Sequence, residues 1–196
     1  MSRKKKLLLA VGACALGGVT AVSGALATAG SGQTGQILDR GTTDVTLNFT
    51  VPKVVTVAKK VKVRVKVHGK FKLVTRTKKV QQTIQSPLVA CSTTTPCDIV
   101  HQKVTFAPGG FSGWHSHPGV VLVVVEEGTL TRYKADCSKQ TFTAGQSFVE
   151  LGRDDILFVR NEGATPAVDL ATFVVPAGTS NADLRIDQPQ PANCTP

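Results

Sequence analysis

The sequence lacks the features by which most common active sites are detected. It shows no nucleophile triad, no glycine-rich phosphate loop and no cysteine pair with the Cys-x-x-Cys spacing of a zinc knuckle. No segment of useful length has the periodicity of an amphipathic helix, and no unit repeats at a fixed interval. These absences exclude a helical or repeat architecture and favour a chain of short β-strands.

Acidic residues are absent from one long stretch. Between Lys53 and Lys79 the chain has eleven Lys or Arg and no Asp or Glu, whereas from Val80 onward seven Lys or Arg stand against eleven Asp or Glu. The formal net charge of +10 is therefore the sum of a strongly cationic segment up to Lys79 and a mildly acidic one from Val80 onward. Such asymmetry indicates a surface with anionic partners and does not bear on the fold.

Within this stretch, valines at alternate positions from Val61 to Val67 are separated by Lys or Arg. The strict two-residue period predicts a half-buried strand with the valines inward and the cations outward. His68-Gly69 has the composition of a tight turn, and residues 70–77 (KFKLVTRT) are expected to return as the hairpin partner. An earlier strand is expected over Val45 to Val51.

Two interpretations of this basic ribbon remain open. The lysines either solvate a strand edge and discourage aggregation, or residues 53–79 form a cationic face for anionic cell-envelope polymers, anionic lipid headgroups or nucleic acid. Nucleic acid is not expected as a partner, because Phe71 is the one aromatic residue among the charges and base stacking needs several.

The N-terminus has the pattern of a secretory signal peptide. Four cations precede a long uncharged run that ends at Ala27-Thr28-Ala29, so residues 1–29 are expected to be removed by cleavage after Ala29. Two rivals are an uncleaved membrane anchor and lipid attachment at Cys14. The protein is therefore expected to be secreted or associated with the cell envelope. Residues 30–36, rich in Gly, Ser and Gln, are expected to be a flexible linker.

An even number of cysteines remains after cleavage, which favours disulfides in an exported chain. Local proximity favours Cys91 with Cys97, and Cys137 with Cys194, the second bridge pinning the C-terminal tail. Four cysteines permit two further connectivities, and these stay open.

From Cys97 onward the chain consists of short apolar runs separated by turn sequences, as expected of an all-β barrel or sandwich. The run VVLVVV is apolar on both faces and predicts a central strand. The expected organisation is N-terminal strands and the basic ribbon over residues 37–86, followed by a barrel over residues 87–196.

The segment PGGFSGWHSHPGVVLVVVEEG resembles the first motif of the cupin family, with Gly109, His115, His117 and Gly128 in register. The segment AGQSFVELG…LFVRNEG resembles the second motif and matches it at its two ends, Gly145 and Asn161. This resemblance covers roughly residues 89–176. It implies a double-stranded β-helix, or jelly-roll, barrel of the RmlC-like type, and cupin barrels often form homodimers.

His115 and His117 lie two residues apart, so on a strand both imidazoles face the same way and can bind one divalent transition metal ion. The family commonly adds a Glu from the first motif and a His from the second. Here Val121 and Leu157 occupy those two places, and no histidine follows His117. The resemblance therefore implies a degenerate metal site with two of four ligands.

Other residues are candidates for additional ligands or for the walls of a pocket. Glu150 follows Phe148-Val149 and is the one acidic residue of the second motif expected to point inward, as an extra ligand or a general base. Alternation along its strand predicts that His101 faces outward. Trp114, Val121 and Leu157 are expected to wall the pocket, although a lone tryptophan also suits core packing.

Three functions follow from these residues. The first is an exported cupin that binds a metal ion or a small molecule without a dedicated reaction. The second is a metal-dependent dioxygenase or isomerase that uses His115 and His117. The third is an envelope-association protein that binds anionic polymers through the basic ribbon.

Overall fold

The computed structural model describes residues 27–196, so the predicted signal peptide lies almost entirely outside the described residues. The described part is built from β-strands, with one 3₁₀ turn at Ala182–Leu184 and no α-helix. None of its helical segments is long and apolar enough to cross a membrane. The all-β prediction is confirmed.

Twelve strands are found within residues 27–196. They are β1 Ser31–Thr43, β2 Leu47–Val67, β3 Lys70–Cys91, β4 Cys97–Phe111, β5 His115–Ser116, β6 Val120–Glu127, β7 Thr129–Lys134, β8 Lys139–Thr143, β9 Ser147–Glu150, β10 Leu157–Arg160, β11 Ala167–Pro176 and β12 Ile186–Asp187.

Ten of these strands form one barrel-like antiparallel sheet, in agreement with the predicted double-stranded β-helix. Its main path is β12-β5-β10-β4-β11-β6-β9, with β1 paired to β4 and with β7 paired to both β10 and β8. The strand β6, which carries VVLVVV, has a neighbour on each side, as predicted. Its outer face is nevertheless open, because Leu122 and Val124 are exposed.

The barrel interior is an apolar core in which side chains from opposite strands meet. On β6 and β11 alternate residues point inward, which buries Val121, Val123 and Phe173. This alternation follows from the period of a strand, since successive side chains face opposite sides of the sheet. The same alternation decides which polar residues face the interior.

Residues 30–36 do not form the predicted flexible linker. The strand β1 begins at Ser31 and pairs with β4 from Phe111 to Cys97, so the barrel extends into the segment assigned to the linker and the N-terminal strands. Backbone pairing needs no apolar side chain, so a polar composition does not prevent it. Gly32, at φ 64°, also packs against Gly110, where a side chain would be crowded.

The strands β2 and β3 form a separate two-stranded sheet, here called the basic arm (residues 47–91). Its turn is His68-Gly69, as predicted, and both residues have positive φ, as in the type I′ turn that suits hairpins. With 21 residues in β2, the arm is about 70 Å long at the usual rise of a strand. The strand expected over Val45 to Val51 is the beginning of β2.

The arm valines alternate and are half-buried, as predicted, but they form no core. Val61, Val63 and Val65 are half-buried by neighbours within the arm and do not enter a core cluster of the described residues. The arm packs on the barrel at its base, where Leu47, Phe49, Leu88 and Val89 cover Val120 and Val174. The two-residue period was correct, but a two-stranded ribbon has no third layer to cover its apolar face.

Two disulfides have the predicted pairing. Cys91 is bonded to Cys97, six residues on, which ties the base of the arm to the start of β4. Cys137 is bonded to Cys194, 57 residues on, which ties the C-terminal tail to the turn between β7 and β8.

Candidate metal centre

His115 and His117 project into the barrel from β5 and the residue just after it. Their separation by one residue places both imidazoles on the same side, with ring centroids 4.8 Å apart. Both side chains are buried.

The Glu150 side chain, on β9, points into the barrel interior beside the two histidines. Its register partner on β6 is Val121, and directly paired residues of an antiparallel sheet share a face. The carboxylate that the cupin pattern has at the position of Val121 is therefore provided, one strand away, by Glu150. Leu157 lies opposite His115 in the pairing of β10 with β5, so the place of the second-motif histidine holds a side chain without a donor atom.

The three side chains bring one nitrogen or oxygen each within 4.8 Å of one another. Oε2 of Glu150 lies 2.6 Å from Nε2 of His117 and 3.9 Å from Nε2 of His115. This is a two-histidine, one-carboxylate group of the kind that binds transition metals with positions left open.

In each histidine, a hydrogen bond at Nδ1 orients the ring so that Nε2 faces the other two donor side chains. Nδ1 of His115 lies 2.9 Å from the carbonyl oxygen of Gly113, and Nδ1 of His117 lies 2.6 Å from that of Leu184. A carbonyl oxygen only accepts hydrogen bonds, so each Nδ1 carries the hydrogen and donates it. In the neutral ring the lone pair is then on Nε2, as in histidines that bind metals.

Charge at the centre follows from burial and from the short distances. Burial lowers the pKa of His115 to about 3, so its ring is neutral near pH 7. Burial alone would raise the pKa of Glu150, but the adjacent His117 and His115 outweigh burial and lower it, which keeps the carboxylate ionised.

Three electron-pair donors thus converge in a buried space. Nε2 of His117 lies 2.6 Å from Oε2 of Glu150. Two lone pairs at that distance repel unless a proton or a metal cation lies between them. A proton on His117 would relieve one contact, whereas a divalent metal ion would use all three donors. The donor set fits a transition metal.

The three donors line one part of a cavity of about 310 Å³, near the lower end of the range for small-molecule sites. Much of the remaining wall is apolar, and it includes Val104, Phe106, Val123, Val159 and Phe173. Polar groups also reach the cavity, among them Gln33, Gln102, Ser112, Asp169, Asn181 and Arg185.

Asp169 is the functional candidate that sequence reasoning missed. It lies on β11, is 5% exposed and lines the cavity, and among the described residues its Oδ1 atom has no hydrogen-bond partner. Burial, with a smaller effect of the Glu150 charge, raises its pKa to about 8. The strand AVDLATFVV contained the clue, because an acidic residue shares the inward face with Ala171 and Phe173.

The three residues predicted to wall the pocket lie in different places. Val121 lines the cavity. Trp114 precedes His115 and therefore faces the other way, where it packs with Phe158, 5.5 Å between ring centroids. Leu157 is completely buried in the interior core but does not line the cavity. His101 is exposed and lies 3.0 Å from the Thr172 hydroxyl, outside the site, as alternation predicted.

A C-terminal segment, residues 178–185, forms one side of the cavity and supports His117 through the Leu184 carbonyl. Arg40 of β1 holds this segment by donating to the Thr179 carbonyl at 2.6 Å and to the Asn181 side chain at 2.8 Å. The same guanidinium donates to Asp98 at 2.8 Å. The ion pair thus fixes a backbone group that orients a donor of the centre.

No family model and no curated protein matches this chain. Solved structures do match part of it, and several are cupins. A cupin superfamily protein of Desulfitobacterium hafniense is 14% identical, over 39% of this chain and 67% of its own, with a TM-score of 0.36. A cupin domain of Bordetella pertussis is 24% identical, over 39% of this chain and 80% of its own, with a TM-score of 0.35.

An oxalate oxidase in complex with the substrate analogue glycolate is 26% identical, over 42% of this chain and 43% of its own, with a TM-score of 0.35. Each of these scores lies below 0.5. The account of the site therefore rests on the geometry of the chain itself.

Proposed function

We propose that this protein is an exported cupin-type metalloprotein. It binds one divalent transition metal ion through His115, His117 and Glu150, and a small organic molecule in the adjoining cavity. The observation that carries the proposal is the convergence of three buried donor atoms within 4.8 Å of one another. A buried group of like acceptors is costly to fold unless a cation joins them.

The metal would be held by two imidazoles and one carboxylate, a set that suits Fe, Mn, Co, Ni, Cu and Zn to different degrees. When bound, it would act as a Lewis acid on an oxygen-containing ligand. The protein contributes the rest: Gly113 and Leu184 orient the imidazoles through their carbonyls, and apolar side chains line part of the adjoining cavity.

Metal analysis of protein purified without a histidine tag tests this proposal. We expect close to one transition metal per chain after loading, and at least tenfold less in His115→Ala, His117→Ala and Glu150→Gln, because each loses a direct ligand. His101→Ala is the matched control, since His101 is exposed and outside the site. Absence of metal from the loaded, folded wild type would refute the proposal, as would equal metal in His101→Ala and the three site variants.

The cavity favours a compact and partly apolar ligand. Its walls combine aliphatic and aromatic side chains with polar ones in about equal number. Asp169 can accept a hydrogen bond from a ligand hydroxyl or amino group, or can donate its own proton when neutral.

A second candidate function is catalysis of the dioxygenase or isomerase type, and Asp169 favours it. A general acid or base needs a pKa near the working pH, and burial raises the pKa of this carboxyl to about 8. Screening metal-loaded protein against small hydroxy and keto compounds, by oxygen uptake and product analysis, tests for a reaction. Turnover that falls about 100-fold or more in Asp169→Asn at unchanged metal content would assign Asp169 as the acid or base. Equal turnover in both would exclude that role.

Export is supported by the N-terminal pattern and by two disulfides, which are typical of oxidising compartments. Residues next to the expected cleavage point contact the barrel, since the Trp114 backbone nitrogen donates to Thr28 Oγ1 at 2.8 Å. Cleavage after Ala29 would remove that contact. Mass determination of the exported protein would locate the mature N-terminus, and detection only in the cytoplasm would contradict export.

A further inference from the structure

The outer part of the basic arm carries its eleven cations on both faces. Pairing places Val61, Val63 and Val65 on one face with six of the cations, and the other five on the opposite face. If the lysines served only to protect a strand edge, cations on one face of the ribbon would suffice. Cations on both faces of a thin ribbon instead allow contact with an anionic partner from either side.

The tip of the arm is apolar as well as cationic. Phe71 and Leu73 are 65% and 67% exposed and share the face that lacks the valine row. Their register partners are Lys66 and Arg64, and the Arg64 guanidinium lies 5.8 Å from the centre of the Phe71 ring. Single exposed apolar residues are common, and Val54 is one nearer the base of this face, but two adjacent ones among the cations of the tip require an explanation.

Each class of occupant makes a different demand on this surface. A second copy of the arm is disfavoured, because two ribbons of the same charge repel each other. A soluble polyanion would use the cations and leave Phe71 and Leu73 in water. An anionic lipid bilayer would use both, since phosphate headgroups meet the cations while apolar side chains enter the boundary of the acyl region.

We propose that the tip of the basic arm docks on an anionic lipid bilayer, with Phe71 and Leu73 inserted at the interface and the flanking Lys and Arg on lipid phosphates. The length of the arm is consistent with this arrangement. The chain from Val80 onward has four more acidic than basic residues (11 − 7) and would be repelled by the same surface. An arm of about 70 Å holds that body well beyond the Debye length of about 8 Å in physiological salt.

Vesicle co-sedimentation of the folded protein tests the proposal. The vesicles are phosphatidylcholine alone, or phosphatidylcholine with about one third phosphatidylglycerol, and binding to soluble polyphosphate is measured in parallel. We expect the wild type to bind the anionic vesicles, to bind the neutral ones weakly, and to lose vesicle binding as salt is raised.

The decisive variant is the double substitution Phe71→Ser with Leu73→Ser. We expect its affinity for anionic vesicles to fall about tenfold or more, because the inserted apolar area is lost, while polyphosphate affinity stays within about twofold. Leu122→Ser with Val124→Ser removes exposed apolar side chains from the barrel instead and should change neither affinity. Far-ultraviolet circular dichroism and cooperative thermal unfolding check that every variant is folded.

Three outcomes would overturn the proposal. Vesicle binding by the tip variant equal to that of the wild type would mean that the cations alone bind, as to any polyanion. Binding of polyphosphate without binding of anionic vesicles would identify a soluble or wall polymer as the partner. Failure of the wild type to bind either would remove the arm as an anion-binding surface.

Discussion

At the residue scale, Glu150 changes the interpretation of the two histidines. The cupin resemblance left His115 and His117 without a carboxylate, because Val121 stands at its position. Pairing of β6 with β9 places Glu150 beside Val121 and brings its Oε2 atom to 2.6 Å from Nε2 of His117. A carboxylate on the neighbouring strand can therefore occupy the same site as one at the position of Val121.

The buried acid Asp169 should reduce stability at neutral pH. Its pKa rises from 3.8 to about 8 in the folded state, so the folded protein holds a proton that the unfolded chain releases. The free energy of unfolding therefore falls as pH rises from about 4 to about 8. We expect metal-free Asp169→Asn to unfold at a higher temperature than the wild type at pH 8, with a smaller difference at pH 5. Thermal unfolding at both pH values measures this, and a wild type more stable than the variant at pH 8 would contradict it.

Residue patterns were sufficient for some parts of the site and insufficient for others. Alternation predicted that His115 and His117 face one way and His101 the other, since a strand imposes that period. It places Asp169 on one face of β11 with Ala171 and Phe173, but it does not tell that the cavity lies against that face. Trp114 was placed beside the pocket by proximity in sequence, although its position next to His115 turns it to the other face.

At the element scale, the contact between β1 and the C-terminal segment supports the site. Asp98 is buried and accepts hydrogen bonds from Arg40, Thr42 and the Gly178 backbone. Burial would raise the pKa of Asp98, but these hydrogen bonds and the Arg40 charge lower it below 3.8. The stability it contributes is present above about pH 4 and is lost as pH falls through the lower folded pKa.

We expect Arg40→Ala to reduce the free energy of unfolding by about 1–3 kcal/mol, because it leaves Asp98 as a buried charge without its partner. Metal affinity should also fall about tenfold, because the segment that holds His117 through Leu184 is loosened. Urea unfolding and metal titration measure the two effects. Arg153→Ala, which changes an exposed arginine outside this network, is the control. Unchanged metal affinity in Arg40→Ala would show that the segment needs no such support.

The two disulfides should differ in the stability they provide. The entropy lost by the unfolded chain grows with the length of the closed loop, and the bridges close loops that span 6 and 57 residues. We expect removal of Cys91–Cys97 to cost about 2 kcal/mol and removal of Cys137–Cys194 about 4 kcal/mol. Chemical unfolding of the paired serine variants measures both. A larger loss for the short loop would show that local packing, and not loop entropy, dominates.

Element boundaries show what composition can and cannot predict. The arm turn at His68-Gly69 was predictable, because both residues suit positive φ between two alternating strands. The strand β1 was not, because its first six residues, 31–36, are Gly or polar and their strand form depends on the backbone of β4. The lack of a further layer over Val61 to Val65 was not predictable, since alternation does not tell whether another layer covers a strand.

At the scale of the whole molecule, the acidic barrel and the cationic arm form separate sheets, and the base of the arm packs on the barrel. The apolar contacts between them lie at Leu47, Phe49, Leu88 and Val89. A variant in which residues 56–81 are replaced by Asn-Gly keeps these contacts and closes the shortened hairpin where Val55 pairs with Gln82. We expect it to retain metal content and to unfold within about 0.5 kcal/mol of the wild type. Loss of metal on truncation would instead show that the arm supports the site.

The central claim is that His115, His117 and Glu150 hold one metal ion. The most direct test is a crystal structure of the metal-loaded protein with anomalous data collected at the metal edge. We expect one anomalous peak that marks a metal ion about 2.0–2.2 Å from Nε2 of both histidines and from a Glu150 oxygen. A loaded crystal without a peak among these three side chains, or with the metal bound elsewhere, would contradict it.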